Sequence, residues 1–443
     1  MFRSMAVLMS LGAALFVTTG PAATASPWPA SSTGTDIGGV LPSGFEPSGI
    51  VWDDFTGALW VVGGGGHLGR MLEDGTSPTY WTLSAGLDSE PDLESVAVTG
   101  TAQKLYLGEE YPPAIVEYNS SSTGTPTWAN KSWSLGLPAT KASGMEGLTW
   151  VPNGYHPYAN SSSGGVFFAS SQSNGTIYVY DVNLSVSGST PALRGSFTPD
   201  ATQTDISDLY FSQQTRTLFV LYGLANKVVE IDTTTTSFSI MSTYTLPTSG
   251  TGQEGVTLLP QCPGATTDIY LADDTELVIA RFGGFPQLCA STLNPTADAT
   301  TKQASPNTNY GTQTSLSTDS AANDDDNFLI RFSLSGVTTA QINRARLLLY
   351  ATDGTDLSPQ YCATTASWSE TGVTWNNQPV CSSNNLGGGA TVADNSWMSY
   401  DVRSALQAGW SSFRFTPRST NDCVANSREA ASNRPQLILW MNQ

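Results

Sequence analysis

Short apolar runs separated by turn-forming residues dominate this chain, and long helical periodicities are scarce. After Glu146 the strand-like runs are Leu148–Val151, Val166–Ala169, Ile177–Tyr180 and Leu193–Phe197. After Ser207 they are Leu209–Phe211, Thr217–Leu221, Lys227–Ile231 and Met241–Leu246. Asp74-Gly75, Asn174-Gly175 and the polar stretch Ser120–Gly124 supply the turns between such runs. Each set opens with an acid or serine, then a small residue, then an aliphatic. The phrase occurs five times: Ser48-Gly49-Ile50, Glu94-Ser95-Val96, Glu146-Gly147-Leu148, Ser207-Asp208-Leu209 and Glu254-Gly255-Val256. Four short strands per repeat, at a period of roughly 40–50 residues, predict a β-propeller. We count five blades; six would need strands that the pattern does not show.

The fifth repeat is one strand short, with Val256–Leu259, Asp268–Leu271 and Leu277–Phe282 only. Asp36–Leu41 precedes Ser48 much as Trp133–Leu137 precedes Glu146. It is therefore expected to complete the last blade and close the ring, which hides sheet edges that would otherwise pair with other chains. The propeller is assigned to residues 36–289.

From about residue 290 to 443 the repeats stop. Alternating runs at Phe328–Leu334, Arg344–Ala351, Trp397–Val402, Ser412–Phe415 and Gln436–Met441 predict an antiparallel β-sandwich of jelly-roll type. The fold class is thus all-β, a propeller followed by a sandwich. Ahead of both, Arg3, the apolar stretch Met5–Thr18 and Ala23-Thr24-Ala25 read as a secretory signal peptide over residues 1–25. The apolar run falls short of the ~20 residues that a membrane span needs. An exported protein is expected, extracellular or at the cell surface, with no membrane insertion, and a monomer.

Charge is unevenly spread. Residues 26–289 carry 8 Lys and Arg against 25 Asp and Glu, and residues 290–443 carry 9 against 12. Such a field argues against nucleic acid and favours cations. Export permits disulfides. Cys262 with Cys289 and Cys362 with Cys381 bracket short segments, leaving Cys423, although Cys423 paired with Cys362 or Cys381 stays open.

In a propeller the start of each innermost strand faces one mouth of the central channel. Glu94, Glu146 and Glu254 would converge there, with Asp92 and Asp205 (and Glu46) two positions ahead of the recurring phrase. Glu109, Glu110, Asp273 and Asp274 follow second strands. Like charges gathered together must pair, take up protons or bind a cation. Calcium suits carboxylates from separate blades, because it takes ~6–8 oxygen ligands in flexible geometry. The competing reading is that these glutamates bond backbone N–H groups of the next blade and stitch the ring. Catalytic machinery is sparse: His67 and His156 lie in loops, and there is no Gly-x-Ser-x-Gly elbow and no HExxH motif. Sequons at Asn119, Asn130, Asn160, Asn174 and Asn183 mark surface loops.

The phrases EPSGIVW, DLESVAV, GMEGLTW, DISDLYF and GQEGVTL, over residues about 36–285, resemble those of the SdiA-regulated propellers, which are related more loosely to phytase-like propellers. The resemblance implies the propeller, and the phytase-like members imply calcium. In the second domain, PNTNYGT at Pro306–Thr312, ARLLLY at Ala345–Tyr350, WSETGVTWNNQP at Trp368–Pro379, Ser427-Arg428-Glu429 and NRPQL at Asn433–Leu437 fall in one order. This segment resembles the DNRLRE domain, also called carbohydrate-binding module family 96, which implies binding to polysaccharides, acidic ones such as alginate among them. Trp368, Trp375, Trp397 and Trp410 are candidates to stack on sugar rings, and Arg428 to bind a carboxylate. A core role for the tryptophans and an Arg428–Glu429 ion pair are the structural alternatives. Asp298 and Asp324–Asp326 are candidates for a structural calcium.

Two functions follow as expectations. One is an exported recognition platform tethered to polysaccharide. The other is a calcium-dependent hydrolase or lyase acting on phosphoesters or glycans at the propeller channel.

Overall fold

The computed structural model describes residues 25–441, except 101–102, 121–123, 237, 248–251, 322–323, 366 and 384. The expected signal peptide lies outside the described residues. Five four-stranded antiparallel sheets form a five-bladed propeller, and a ten-stranded sheet follows. The innermost strands of blades 1 to 5 are Pro47–Asp53, Leu93–Ala97, Met145–Pro152, Asp208–Ser212 and Gln253–Leu259. Each is the edge of its blade, and the chain runs outward by hairpins. The fifth blade takes its outer strand from the N-terminal end: Thr35 and Asp36 pair with Arg281 and Ala280, so the ring closes as expected, through a shorter strand. Ser26 also bridges Tyr244 on the outer strand of blade 4.

Blades hold one another through apolar faces and a few repeated polar bonds. Separate buried clusters fill the wedge between blades 2 and 3, between 3 and 4, and between 5 and 1. Thr257 Oγ1 of blade 5 accepts from the Trp52 N–H of blade 1 at 2.9 Å, and Thr149 Oγ1 of blade 3 accepts from Phe211 of blade 4 at 3.0 Å. Near the axis the inner strands approach so closely that no side chain fits at the middle position of the phrase in blades 1, 3 and 5. A Cβ added to Gly147 would lie 2.7 Å from the Leu209 nitrogen of blade 4, and one added to Gly255 would land on the Ser48 carbonyl oxygen of blade 1.

The C-terminal sheet curls until its two halves face each other across one core. Phe328, Ile330 and Phe332 from one half meet Leu347, Leu349 and Leu437 from the other. The expected sandwich core is therefore present, built from one continuous sheet rather than two separate ones. Cys362–Cys381 and Cys262–Cys289 are bonded as expected, and Cys423 is buried with its thiol against the Met398 sulfur at 3.8 Å.

Blade 4 is docked on this second sheet. Buried Asp232 receives Arg344 Nη2 at 2.8 Å and Arg346 Nε at 3.3 Å. Trp440 Nε1 donates to the Thr215 carbonyl at 2.6 Å, and the Ala290 N–H donates to the Gln214 carbonyl at 2.9 Å.

If the axial crowding sets the fold, Gly255→Ala must overpack it, whereas Gly136→Ala, where an added Cβ meets nothing, must not. We expect Gly255→Ala to cost about 1–3 kcal/mol in denaturant unfolding and Gly136→Ala to leave the midpoint unchanged. Equal effects would remove the crowding.

Candidate functional site

The recurring phrase is a β-bulge. In blades 1, 2, 3 and 5 the register of the inner strand slips at that point: between Pro47 and Ile50, Leu93 and Ser95, Met145 and Leu148, and Gln253 and Gly255. A bulge re-aims the side chain that it carries, and here it carries Ser48, Glu94, Glu146 and Glu254. Blade 4 has no bulge in its inner strand, whose pairing runs unbroken from Asp208 to Ser212.

The serines and glutamates of the phrase bond one another. Ser48 donates to Glu94 and Ser207 donates to Glu254. Each serine thus serves a glutamate of a neighbouring blade, which accounts for the two blades that lack the acid. Glu94 and Glu110 also lie within hydrogen-bonding reach of Asp92. Two carboxyl groups at that separation must share a proton or a cation. Glu110 in turn accepts from the Gly144 N–H at 2.9 Å, and Asp205 accepts from the Leu224 N–H at 2.7 Å.

Burial raises these acids, and their mutual charge raises them further. Glu94 stands well above the ordinary carboxyl range through burial and then through Asp92. Glu146 does so through burial, then Glu94, Glu110 and Glu254. Burial first, then Asp274, Asp205 and Asp273, push Glu254 up to about 8 against the Ser207 hydrogen bond. No ion pair among the described residues reaches Glu94, Glu110, Glu146 or Glu254. The donor set is all oxygen, as calcium requires. However, Glu94, Glu146 and Glu254 do not draw their oxygens within 4.8 Å of one another; among the described residues the three carboxylates that do are Asp298, Glu370 and Glu429. Asp92, Glu94 and Glu110 do not form such a group either.

Asp208 takes a different part. Its carboxyl accepts from the N–H groups of Leu209 at 2.7 Å, Val256 at 2.9 Å and Ile50. Those partners lie on blades 4, 5 and 1, so this side chain ties three inner strands together. Beyond it, toward the other mouth, lies a cavity of about 40 Å³ lined by Trp52, Trp150, Tyr210 and Phe211, which has room for little more than water.

The histidines do not form a catalytic pair. His156 is 2% exposed, stacked on Phe238, and burial pushes it down to about 3, so it is neutral core rather than a loop base. His67 is half-buried near the acidic mouth with Nδ1 2.7 Å from the Gly64 carbonyl.

In the second domain the candidate residues separate. Trp368 and Trp397 are buried, Trp397 against Tyr350. Trp375 is half-buried in a short turn. Arg428 forms the ion pair with Glu429 at 3.3 Å, and its Nη1 lies 2.7 and 2.9 Å from the two Glu370 oxygens. Its backbone N–H also donates to Asp298 at 2.8 Å. Trp410 is the tryptophan of this domain left on the surface, 45% exposed. The Arg331 guanidinium lies between the Trp410 ring (5.2 Å) and the Trp368 ring (5.1 Å). Sequence reasoning grouped Trp410 with the others; strand parity was the available signal, since Phe328, Ile330 and Phe332 fill the core and Arg331 must face outward.

Residues 44–259 match the SdiA-regulated family model, and residues 289–441 match carbohydrate-binding module family 96. No curated protein matches the chain. Among solved structures, the chain is 9% identical to an exo-beta-1,3-galactanase from Phanerochaete chrysosporium with galactose, at a TM-score of 0.36, covering 92% of this chain and 98% of that one. It is 11% identical to a chain in the crystal structure of a mitotic checkpoint complex, at a TM-score of 0.34, covering 64% and 100%. Likeness at this level carries no functional argument.

Raised carboxyls make stability depend on pH. Between about 4.5 and 8, the ordinary and folded positions of Glu254, the folded chain holds protons that the unfolded chain has released. Stability is then highest below that window and falls as pH rises through it. In chelator, the unfolding free energy should drop from pH 5 to pH 8, and Glu254→Gln should flatten the drop. A profile that rises over this range would contradict the assignment.

Proposed function

We propose that this is an exported, polysaccharide-associated protein. Its C-terminal module fastens it to a glycan, and its propeller presents the acidic mouth as a cation-stabilised recognition platform. The match of residues 289–441 to a carbohydrate-binding module family carries the reading. The exposed Trp410 beside Arg331 supports it, because an aromatic face takes the C–H face of a sugar while a guanidinium takes its hydroxyls or carboxylate. The two disulfides suit an oxidising compartment. No helix among the described residues is long and apolar enough to cross a membrane.

Calcium is the cation that this reading assigns to the mouth. Asp92, Glu94 and Glu110, with Glu146, Glu254 and Asp205 around them, offer oxygen donors whose repulsion an ion would relieve in place of protons. A second reading, a calcium-dependent hydrolase or lyase acting on phosphoesters or glycans, rests on the same gathering of carboxyls, which could hold the metal beside a substrate.

The tether is tested by affinity electrophoresis of the full chain through gels containing alginate, pectate, xylan or no glycan. At least one glycan should retard it, and Trp410→Ala should restore free mobility. Equal mobility in every gel would sink the tether. Melting with calcium and with chelator tests the ion: the melting temperature should rise with calcium, more at pH 8 than at pH 5, since a ligand of the folded state alone must stabilise it. No shift at either pH would remove the ion. Release of reducing ends from the retained glycan would favour the enzyme over the platform.

A further inference from the structure

The second domain leaves free the face of the propeller that carries the acidic mouth. It touches blade 4 through Gln214, Thr215 and Asp232, in turns at the far ends of the strands, whereas Ser207 and Leu224 stand at the mouth end. Around the mouth, the turns after the second strands of blades 2, 4 and 5 hold Tyr111, Leu224 and Leu277 out to solvent, 47%, 66% and 47% exposed. A single exposed apolar residue is ordinary. Here they recur in corresponding turns at one end of the propeller, among acids, and that arrangement marks an interaction surface.

Within that rim stands Glu146, 6% exposed. No hydrogen-bond donor among the described residues reaches its carboxyl, while the charges of Glu94, Glu110, Glu254 and Asp205 press on it from three other blades. Unlike the sealed polar atoms nearby, such as Ser95 Oγ and Gln253 Oε1, its oxygens stay open to the mouth. An acceptor left without a donor is unfavourable, the more so when charged, and a guest cation would relieve it. The protein supplies none: Lys141 and Lys227, on the same face, are taken by Glu90 at 2.9 Å and Asp200 at 2.6 Å. An ammonium needs one good acceptor in a negative field, whereas a metal ion needs several oxygens at once. Among the described residues no three carboxylates of the mouth lie within 4.8 Å of one another. Calcium would be held loosely there and give way to an ammonium.

We propose that the mouth docks a lysine-bearing segment of a partner protein, with one lysine ammonium seated on Glu146 and the flanking apolar residues on the rim of Tyr111, Leu224 and Leu277. A lysine stem can run across apolar surface while its head reaches the acids, and the Tyr111 ring offers a face to a second cation. The excess of acid in the propeller draws such a segment in. The inference rests on the reading of the propeller as a recognition platform and names what the platform recognises.

Fluorescence anisotropy of a labelled peptide of alternating lysine and leucine with the full chain tests this, at pH 8 and low ionic strength in chelator. The peptide should bind, and its lysine-acetylated form should not. Glu146→Gln, which breaks no hydrogen bond of the folded chain, should weaken binding about tenfold or more. Asp54→Asn, the same charge change at the opposite mouth, should leave it unchanged. Leu224→Ser should weaken the peptide several-fold and spare spermidine, a free polyamine. Added calcium should compete with the peptide. No peptide binding, equal losses in Glu146→Gln and Asp54→Asn, or spermidine bound as tightly as the peptide would overturn the proposal. So would calcium that raises the melting temperature without displacing the peptide. Peptide binding with no calcium shift in melting would remove the ion and leave the partner, whereas a calcium shift with no peptide binding would remove the partner and leave the ion.

Discussion

Five inner strands meet around one axis, and at Gly49, Gly147 and Gly255 the neighbouring backbone leaves no room for a Cβ. That constraint accounts for the glycine in the middle of the phrase in blades 1, 3 and 5, whereas blade 4 carries Asp208 there and fills the space with a carboxyl bonded to backbone N–H groups. In blades 1, 2, 3 and 5 a bulge places one residue of the inner strand out of register and re-aims its side chain, whereas blade 4 pairs without one. The bulge thus sets where the carboxyls of the phrase stand.

The chemistry of the mouth follows from that placement. Glutamates brought together by packing repel one another, and no lysine or arginine ion pair among the described residues relieves Glu94, Glu146 or Glu254. Two of the five positions are serines, which donate to the adjacent glutamates. Five acids at one level would be harder to neutralise than three acids with two donors. Asp208, held by backbone N–H groups of blades 4, 5 and 1, ties the inner strands together beside them.

Much of this was legible in the residues. The four-strand repeat and the closing N-terminal strand follow from local alternation and spacing, which a single chain carries openly, whereas the choice of Cys381 over Cys423 as the partner of Cys362 does not. The bond from each serine to a neighbouring blade's glutamate is not legible, because it joins residues 46 or 47 positions apart on separate sheets, which only blade-to-blade packing brings together. The competing idea of glutamates stitched to backbone fits Asp208 better than any of the glutamates of the phrase. Four tryptophans of the second domain look alike in sequence, yet burial separates Trp410 from Trp368 and Trp397.

The central claim is that packing forces the channel-mouth acids to keep protons that ordinary carboxyls lose. Carbon-13 NMR of the chain labelled at the glutamate carboxyl carbons tests it directly, in calcium-free buffer from pH 3 to pH 9. The account predicts a resonance with its midpoint near 8 that is missing from Glu254→Gln. Titration of every glutamate near the usual 4.5 would contradict it.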